Sequence, residues 1–396
     1  MNIIVNNVNF SLIISLTALR LVGFWAPDDF KGNYELIYKY YGFLSFTFYV
    51  GNFLTQAVDL FVIWGNIPLM TATLFLLGTN LAHATKFINL YLKRKLIKMI
   101  VDSSDDVLRS VKNEEAVAIV KSCNRQTKIQ LLTYLTLTYV TIVGLMSSAE
   151  HGSLPLRAWY PYDTTKSPAY ELTFGLQVYI VCVTAFLNVS KDTMVTTMIA
   201  QCHCRLKLIG LSLKSLCQDL HDDKSMSLSP NQEKIARARL RDCAIQHQTV
   251  LEAAVLLQNC FSAPTFAQFN VSLLIICVTA FQLVSQTGNM VRLLSMGTYL
   301  TNMTFQVFIY CYQGNQLSTE SSEISTAAYL CPWYLMSPRL RRDLLIVMTR
   351  SRRIAKITAG GFTTLSLSSF MAIIKASYSL FTLLKQVDEK NLNHGL

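Results

Sequence analysis

Long apolar stretches alternate with polar segments along this chain of 396 residues. Seven of the stretches are close to or longer than the roughly 20 residues that an α-helix needs to cross a bilayer. A helix satisfies every backbone hydrogen bond within its own segment, which lipid requires. The pattern therefore predicts an all-α, polytopic membrane protein with seven transmembrane helices, over residues 37–64, 67–92, 129–146, 172–189, 266–284, 293–313 and 362–384.

The first 23 residues are moderately apolar and carry a single charge, at Arg20. This stretch is short for a membrane span, and it lacks the basic start and small-residue cleavage site of a secretory signal. We expect residues 1–23 to form an interfacial or re-entrant helix.

The last apolar stretch carries polar residues at helical spacing, so that they fall on one face of a helix. A polar face on a membrane helix needs water or a partner along its length. Two interpretations are open: packing against a neighbouring helix through Ser and Thr hydroxyls, or the lining of a pore. The residues of this face are Thr364, Ser368, Lys375, Ser379, Thr382 and Gln386.

The composition agrees with a membrane protein. Hydrophobic residues make up 52% of the chain, charged residues 15%, and mean hydropathy is positive. An ordinary soluble domain of this length is less apolar. The net charge of +11 is better explained by basic cytoplasmic loops than by nucleic-acid binding, so no nucleic-acid partner is expected.

Lys and Arg residues are distributed unevenly between the predicted loops. Residues 93–128 hold nine, 202–259 hold eight and 339–356 hold seven, whereas 150–171 hold two. Because basic loops stay in the cytoplasm, the N-terminus is expected in the cytoplasm and the C-terminus outside. This orientation is the inverse of that of G-protein-coupled receptors.

The chemistry-bearing residues form no recognisable catalytic or metal site. None of the ten Cys lies in a predicted outer loop, so no extracellular disulfide framework is expected. The fragment Cys202–His203–Cys204 lacks a second ligand pair at zinc-like spacing. No nucleophile elbow or phosphate loop is present. We expect no enzymatic activity, metal or cofactor.

Lys191 and Asp192 are adjacent charges at the inner end of the fourth stretch. They have two interpretations: part of an ion path, or a pair that caps the exit of the helix from the membrane.

The segment from Cys311 to Gln386 resembles the C-terminal signature of the insect odorant receptors. Outside this segment the similarity is one of pattern only. Ser351–Arg352–Arg353–Ile354 departs from the family, which more often has Gln and then Pro there. The residues that carry the resemblance are Gly314, Leu317, Glu320, Ser321, Ala327, Tyr329, Trp333, Tyr334, Arg341, Arg342, Met348–Ser351, Thr358–Phe362, Leu365–Leu367, Phe370, Lys375–Ser379 and Phe381–Leu384.

The resemblance implies an odorant-gated, non-selective cation channel in the plasma membrane of a sensory neuron dendrite. In this family, tuning subunits such as this chain assemble with a shared co-receptor into heterotetramers within the lipid membrane. A metabotropic seven-helix chemoreceptor or a small-solute transporter is the alternative. The absence of broken, Gly/Pro-interrupted helices argues against a transporter, and the inverted orientation argues against the metabotropic class.

The expected organisation has four parts: the N-terminal helix (1–23), a six-helix ligand-binding bundle with cytoplasmic extensions (24–320), a cytoplasmic anchor helix (321–358), and the pore-lining helix with a short tail (359–396). The anchor is too charged for a span, and its apolar side chains need burial. They pack either in a subunit interface or, alternatively, on the inner leaflet. These side chains are Trp333, Tyr334, Leu340, Leu344, Leu345 and Met348.

The resemblance places an odorant pocket mainly in the outer half of spans two, three, four and six, where apolar walls with a few polar groups suit a small volatile molecule. The candidate residues are Thr73, Leu76, Asn80, Tyr139, Val143, Met146, Tyr179, Val183, Phe186, Tyr299 and Met303.

By position, the resemblance assigns the apolar gate of the pore to Leu383 and the polar position one turn further out to Gln386. An apolar ring can block ions by dewetting. Ser379 and Thr382 share the pore face, and Lys375, deeper on it, is expected to modulate conduction.

Overall fold

The computed structural model describes residues 10–25, 32–65, 67–109, 111, 113–147, 154, 156–164, 166–220, 227–285 and 290–394. The described chain is helical apart from loops and one short hairpin. Its helices are α1 (Phe10–Leu21), α2 (Asn33–Val62), α3 (Ile67–Leu92), α4 (Arg94–Arg109), α5 (Glu114–Ser147), α6 (Ala169–Lys214), α7 (Pro230–Ser285), α8 (Met290–Tyr329), α9 (Pro338–Ser351) and α10 (Leu367–His394).

A helix occupies each of the seven apolar stretches, with two differences from the sequence-based boundaries. The basic segment 93–128 is not a loop, since it forms α4 and the first turns of α5. The last helix starts at Leu367, not Phe362, because residues 358–364 form an antiparallel hairpin, β1 (Thr358–Ala359) and β2 (Thr363–Thr364). Thr364 therefore does not belong to the polar face of α10.

Four helices of the described chain are long and apolar enough to cross a membrane: α5, α6, α7 and α10. The other three predicted spans lie in α2, α3 and α8. The all-helical membrane class thus agrees with the structure, and the count of seven spans stays a prediction.

Helix α6 is the centre of the fold. Every residue from Val189 to Leu206 is buried, and α6 packs against α1, α5, α7 and α8. A helix that is buried on all sides is usually apolar on all sides, but this stretch of α6 also contains polar residues. The buried polar residues of α6 therefore need partners on the surrounding helices.

The short helix α1 packs on α6 and α5. Its buried side has Leu12, Ala18 and Leu19, and small hydroxyls at Ser11 and Ser15 allow close approach. The predicted N-terminal helix is therefore part of the bundle over residues 10–21, while residues 1–9 lie outside the described chain.

A tight connection joins α9 to α10. The hairpin turns through Gly360 and Gly361, whose φ angles of 63° and 78° favour glycine. The Leu365 N–H donates to the Ile357 carbonyl at 2.8 Å. Leu365 then packs directly on Gly314 of α8, where a Cβ would lie 2.3 Å from the Leu365 Cβ. This contact fixes the start of α10 against the bundle.

Candidate functional site

A cavity of about 100 Å³, called here the inner cavity, lies within the helical bundle. Helices α2, α3, α5, α6 and α8 contribute its walls, and Leu156 from the loop between α5 and α6 adds to them. Its lining mixes aliphatic side chains with hydroxyls and amides. A small cavity of this composition suits a ligand with an apolar body and a few polar atoms.

Most polar groups of the inner cavity are paired with each other. The Asn80 amide donates to Gln56 Oε1 at 2.8 Å, and the Thr79 hydroxyl lies 2.7 Å from the Tyr299 hydroxyl. The Nε2 atom of His83, a residue with 4% exposure, has no hydrogen-bond partner among the described residues. His83 therefore offers unused hydrogen-bonding capacity to a ligand.

A buried charge network lies below the cavity, centred on Asp192. Its carboxylate pairs with Lys86 Nζ at 2.5 Å and accepts from the hydroxyls of Tyr134 at 3.0 Å and Tyr310 at 2.8 Å. The Gln306 amide also donates to it. Four donors satisfy both carboxylate oxygens, as an ion held in a low-dielectric interior requires. Tyr134 also lines the cavity, so the network supports its floor.

The adjacent charges Lys191 and Asp192 do not form the pair that would cap the membrane exit. Asp192 is fully buried and binds Lys86 of α3. Successive residues of a helix point about 100° apart, which turns Lys191 toward a different opening.

That opening, called here the side cleft, is a space of about 130 Å³ bordered by α2, α3, α6 and the turn after α1. It is mostly apolar, and Lys191 lies at one end. His83 and Thr184 line both the side cleft and the inner cavity, so the two spaces share a wall.

The predicted ligand residues divide into five groups. Asn80, Tyr299 and Met303 line the inner cavity, and Tyr179 and Val183 line the side cleft. Thr73 is buried elsewhere and donates to Asp59 at 3.0 Å. The side chain of Leu76 lies outside the described residues. The remaining four line neither space, and three of them are exposed on the outside of the single chain: Tyr139, Val143, Met146 and Phe186.

The predicted pore residues all point away from the bundle. On α10, Ile373 and Ser377 are buried, and Phe370 packs on Phe308 with ring centroids 5.6 Å apart. At about 100° per residue, the opposite side of the helix is the polar face. Its residues are partly or largely exposed in the single chain: Lys375, Ser379, Thr382 and Gln386, with Leu383 at its edge.

The predicted anchor helix is three separate elements: the end of α8, a 3-10 helix at Trp333–Leu335, and α9. Residues 321–329 continue α8, and α9 begins only at Pro338, where the Ser337 hydroxyl caps it by accepting from Leu340 N. Leu340 and Leu344 are buried within the chain, and Met348 is half-buried. The other three anchor residues are exposed: Trp333, Tyr334 and Leu345.

The Cys–His–Cys fragment lies in the buried part of α6. His203 Nε2 is 3.0 Å from Gln313 Oε1, and Cys204 packs beside Cys123 of α5. Hydrogen bonding from Cys204 and His203 lowers the pKa of the Cys123 thiol. Among the described residues no group of three or more His, Cys, Asp or Glu side chains is placed to hold a metal ion.

The model of the 7tm odorant receptor family matches residues 66–378, which is most of the chain. The chain belongs to the insect odorant receptor family. Odorant receptor Or1 of Anopheles gambiae is 25% identical over 401 residues, covering 96% of each chain. Odorant receptor 63a of Drosophila melanogaster is 30% identical over 242 residues, covering 60% of this chain and 55% of its own. Both relatives are individual odorant receptors, and such relatives are expected if this chain is a tuning subunit.

The fold agrees with this membership. The olfactory receptor OR5 of Machilis hrabei, solved in complex with eugenol, superposes with a TM-score of 0.80 at 16% identity, over 96% of this receptor and 97% of OR5. OR5 solved without that ligand gives 0.79. This receptor is thus a helical membrane protein of an odorant-sensing family, and not a member of an enzyme family.

Several cavity residues of this receptor were missed by reasoning from the sequence. Six of them lie one to three positions from a predicted residue on the same helix, and Gln56 lies on α2, where no ligand residue was predicted. A search for polar side chains near Asn80 and Met303 reaches three of them, because Thr79 is adjacent to Asn80, His83 is one helical turn from Asn80, and Asn302 is adjacent to Met303. The missed residues are Gln56, Thr79, His83, Thr138, Thr141, Asn188 and Asn302.

Proposed function

We propose that this receptor is a subunit of an odorant-gated, non-selective cation channel whose pore is lined by α10. The observation that supports this best is the polar face of α10, which the chain leaves unpacked on a helix of membrane length. In lipid such a face needs water or a neighbouring subunit. In a ring of subunits, this face lines a central aqueous path. Odorant binding in the inner cavity opens that path.

The gate of this channel is the apolar side chain of Leu383, with Gln386 one turn further out. Leu383 is 57% exposed on the edge of the polar face. Leu383→Ala widens an apolar constriction, so we expect current without odorant in cells that also express the co-receptor. If the variant reaches the surface, passes no current without odorant and responds normally to odorant, the gate lies elsewhere. Such a result is also expected of a metabotropic receptor.

The proposed orientation puts the N-terminus in the cytoplasm and the C-terminus outside, in the plasma membrane of a sensory dendrite. Support comes from the charge bias, since Lys and Arg are concentrated in the α4–α5 region, the α6–α7 connection and α9. An epitope after Leu396 should be labelled on intact cells, and an epitope before Met1 should not. The reverse labelling contradicts this orientation.

Assembly with co-receptor subunits is proposed to use the surface beside α9. A groove between α7 and α9 is lined by apolar side chains such as Val255, Ile346 and Val347, with His247 and Arg350 beside them. Burial and the nearby Arg350 guanidinium lower the pKa of His247, which favours its neutral form at pH 7. Val255 is 58% and Ile346 64% exposed, as interface residues are before assembly.

The anchor is tested by substituting two neighbouring leucines of α9 one at a time. Leu345 is 59% exposed and Leu344 is 3% exposed. Leu345→Asp should leave the receptor folded but reduce co-purification with the co-receptor about tenfold or more, because it puts a charge in the interface. Leu344→Asp is the control for misfolding, since it puts a charge in the core of the chain itself. Undiminished co-purification of Leu345→Asp favours contact of α9 with the inner leaflet.

The inner cavity is tested by comparing lining and exterior positions. Met303→Ala removes apolar contact from the cavity, so we expect the concentration for half-maximal response to change about tenfold and the ranking of odorants to shift. Tyr139→Ala removes a side chain that is 68% exposed on the exterior and should leave the ranking unchanged. Dose–response curves over one odorant panel, with surface expression measured, compare the two variants. Equal effects at both positions would argue against the cavity.

A further inference from the structure

The side cleft combines apolar walls with one buried cation. Phe24, Leu44, Phe87 and Val183 are among its wall residues. Lys191 lies at one end with an exposure of only 3%. A buried ammonium is costly unless negative charge or hydrogen-bond acceptors compensate it.

The surroundings of Lys191 supply little compensation. Its Nζ donates to the backbone carbonyl of His83 at 3.4 Å and lies 5.9 Å from the centre of the Phe87 ring. In the described part of the chain, no carboxylate oxygen lies within ion-pair distance of it, because Asp192 pairs with Lys86. An ammonium has three donors, so Lys191 retains unused capacity.

A second unused group lines the same cleft. His83 is 4% exposed, and its Nε2 atom has no hydrogen-bond partner in the described chain. Two nearly buried nitrogens from neighbouring helices, Lys191 of α6 and His83 of α3, thus line one apolar space. Buried polar atoms without partners are rare, and a ligand would explain both His83 Nε2 and the remaining donor capacity of Lys191.

The charges indicate the kind of ligand. The buried group contains two lysines, Lys86 and Lys191, and one carboxylate, Asp192. A ligand carboxylate would balance the two cations, and charge-assisted hydrogen bonds from an ammonium are the stronger kind. The apolar walls require the rest of the ligand to be hydrophobic.

The shape of the cleft fits an elongated molecule. Tyr179 and Lys191 both line it on α6, and twelve residues of helix rise about 18 Å. Tyr41, Phe48 and Tyr179 at its border are 43%, 48% and 60% exposed on the outside of the bundle. In a membrane that exterior faces lipid, so a hydrophobic ligand can enter from the bilayer.

We propose that the side cleft is a second small-molecule site, separate from the inner cavity, that binds an amphiphilic carboxylate by its head group at Lys191 and His83. A free fatty acid of the membrane and an acidic odorant share this chemistry. Because His83 and Thr184 also line the inner cavity, the occupied cleft changes the wall of that cavity.

Binding to the purified full-length receptor tests this site without using channel current. Dodecanoic acid is the probe, with dodecanol and methyl dodecanoate as matched molecules that lack the carboxylate. The acid should bind at least tenfold more tightly than either. Lys191→Met should weaken acid binding about 30-fold or more, as loss of a buried charge partner does. His83→Phe should weaken it less.

Two control variants separate this site from general damage. Lys207→Met removes a lysine of the same helix that pairs with Glu320 away from the cleft, and it should leave acid binding unchanged. In the absence of ligand, Lys191→Met should have an unchanged or higher Tm, because no carboxylate loses its partner. Lys86→Met should have a lower Tm, since Asp192 loses its cation.

Mass spectrometry of lipids extracted from the purified receptor identifies the source of the ligand. A fatty acid that co-purifies with the wild type but not with Lys191→Met indicates the membrane. Binding of added acid alone indicates an acidic odorant. The proposal is overturned if the alcohol and the ester bind as tightly as the acid, or if Lys191→Met binds the acid like the wild type. Either result leaves the proposed channel function untouched.

Discussion

Asp192→Ala is expected to remove most of the receptor from the cell surface. The substitution leaves the buried Lys86 ammonium without its counter-ion and the hydroxyls of Tyr134 and Tyr310 without their acceptor. Removing one partner of a buried ion pair costs about 3–5 kcal/mol, which is a large part of the stability of a typical domain. Surface labelling and the Tm of the purified receptor both measure the loss.

A double substitution shows whether charge is the cause. Asp192→Leu with Lys86→Met removes both charges and keeps the volume, so it should recover most of the Tm that Asp192→Ala loses. Asp163→Asn is the surface control: Asp163 pairs with Lys166 at 3.2 Å, but both side chains are largely exposed. We expect almost no effect there. No recovery in the double variant would mean that hydrogen bonding, and not charge, dominates the network.

Gly314→Ala is expected to detach α10 from the bundle. The added Cβ would lie 2.3 Å from the Leu365 Cβ and 2.6 Å from the Leu365 carbonyl oxygen. Leu365 cannot retreat easily, because it is buried and its N–H is bonded to Ile357. Relief of such a clash by shifts of side chain and backbone costs about 1–3 kcal/mol, and occasionally more. Odorant-evoked current should be lost even in the fraction that reaches the surface.

Gly297→Ala provides the matched control on the same helix. An added Cβ at Gly297 meets no atom within 4 Å, and alanine is the better helix former. The Gly297 variant should therefore have normal current and an equal or slightly higher Tm. Equal loss of current in both variants would show that α8 tolerates no side chain at glycine, and the contact with Leu365 would lose its special role.

The positions of the helices could be predicted from the sequence, because the length of an apolar stretch and the polar residues that end it are local features. Residues 67–92 form α3 with the predicted ends. The hairpin at residues 358–364 was missed because the last apolar stretch was taken to begin at Phe362, although Gly360 and Gly361 are turn signals. The start of α9 could also have been predicted, because Ser337 followed by Pro338 is typical of the N-terminus of a helix.

The candidate site was predictable only in part. Helical spacing shows which residues share a face, but in lipid both the inner and the outer face of a helix are apolar. Of the predicted ligand residues, the structure places Asn80 and Met303 in the wall of the inner cavity, and it places Tyr139 on the exterior of the chain.

The partners of the Asp192 carboxylate come from positions 58 to 118 residues away along the chain. No local pattern encodes pairings of that range. What the sequence does show is that a carboxylate lies in an apolar helix and therefore requires a partner.

The central claim is that one face of α10 lines the ion path, and cysteine accessibility tests it most directly. Thr382 lies on the polar face, and Leu384, two residues further, points about 160° away. Each is replaced by Cys in the full-length receptor with its co-receptor, and a positively charged thiol reagent is applied outside during the odorant response. Wild type, with its ten native Cys, is the background. We predict rapid, irreversible block of current in Thr382→Cys and none in Leu384→Cys. Block of both variants, or block of Leu384→Cys alone, contradicts a pore lined by this face.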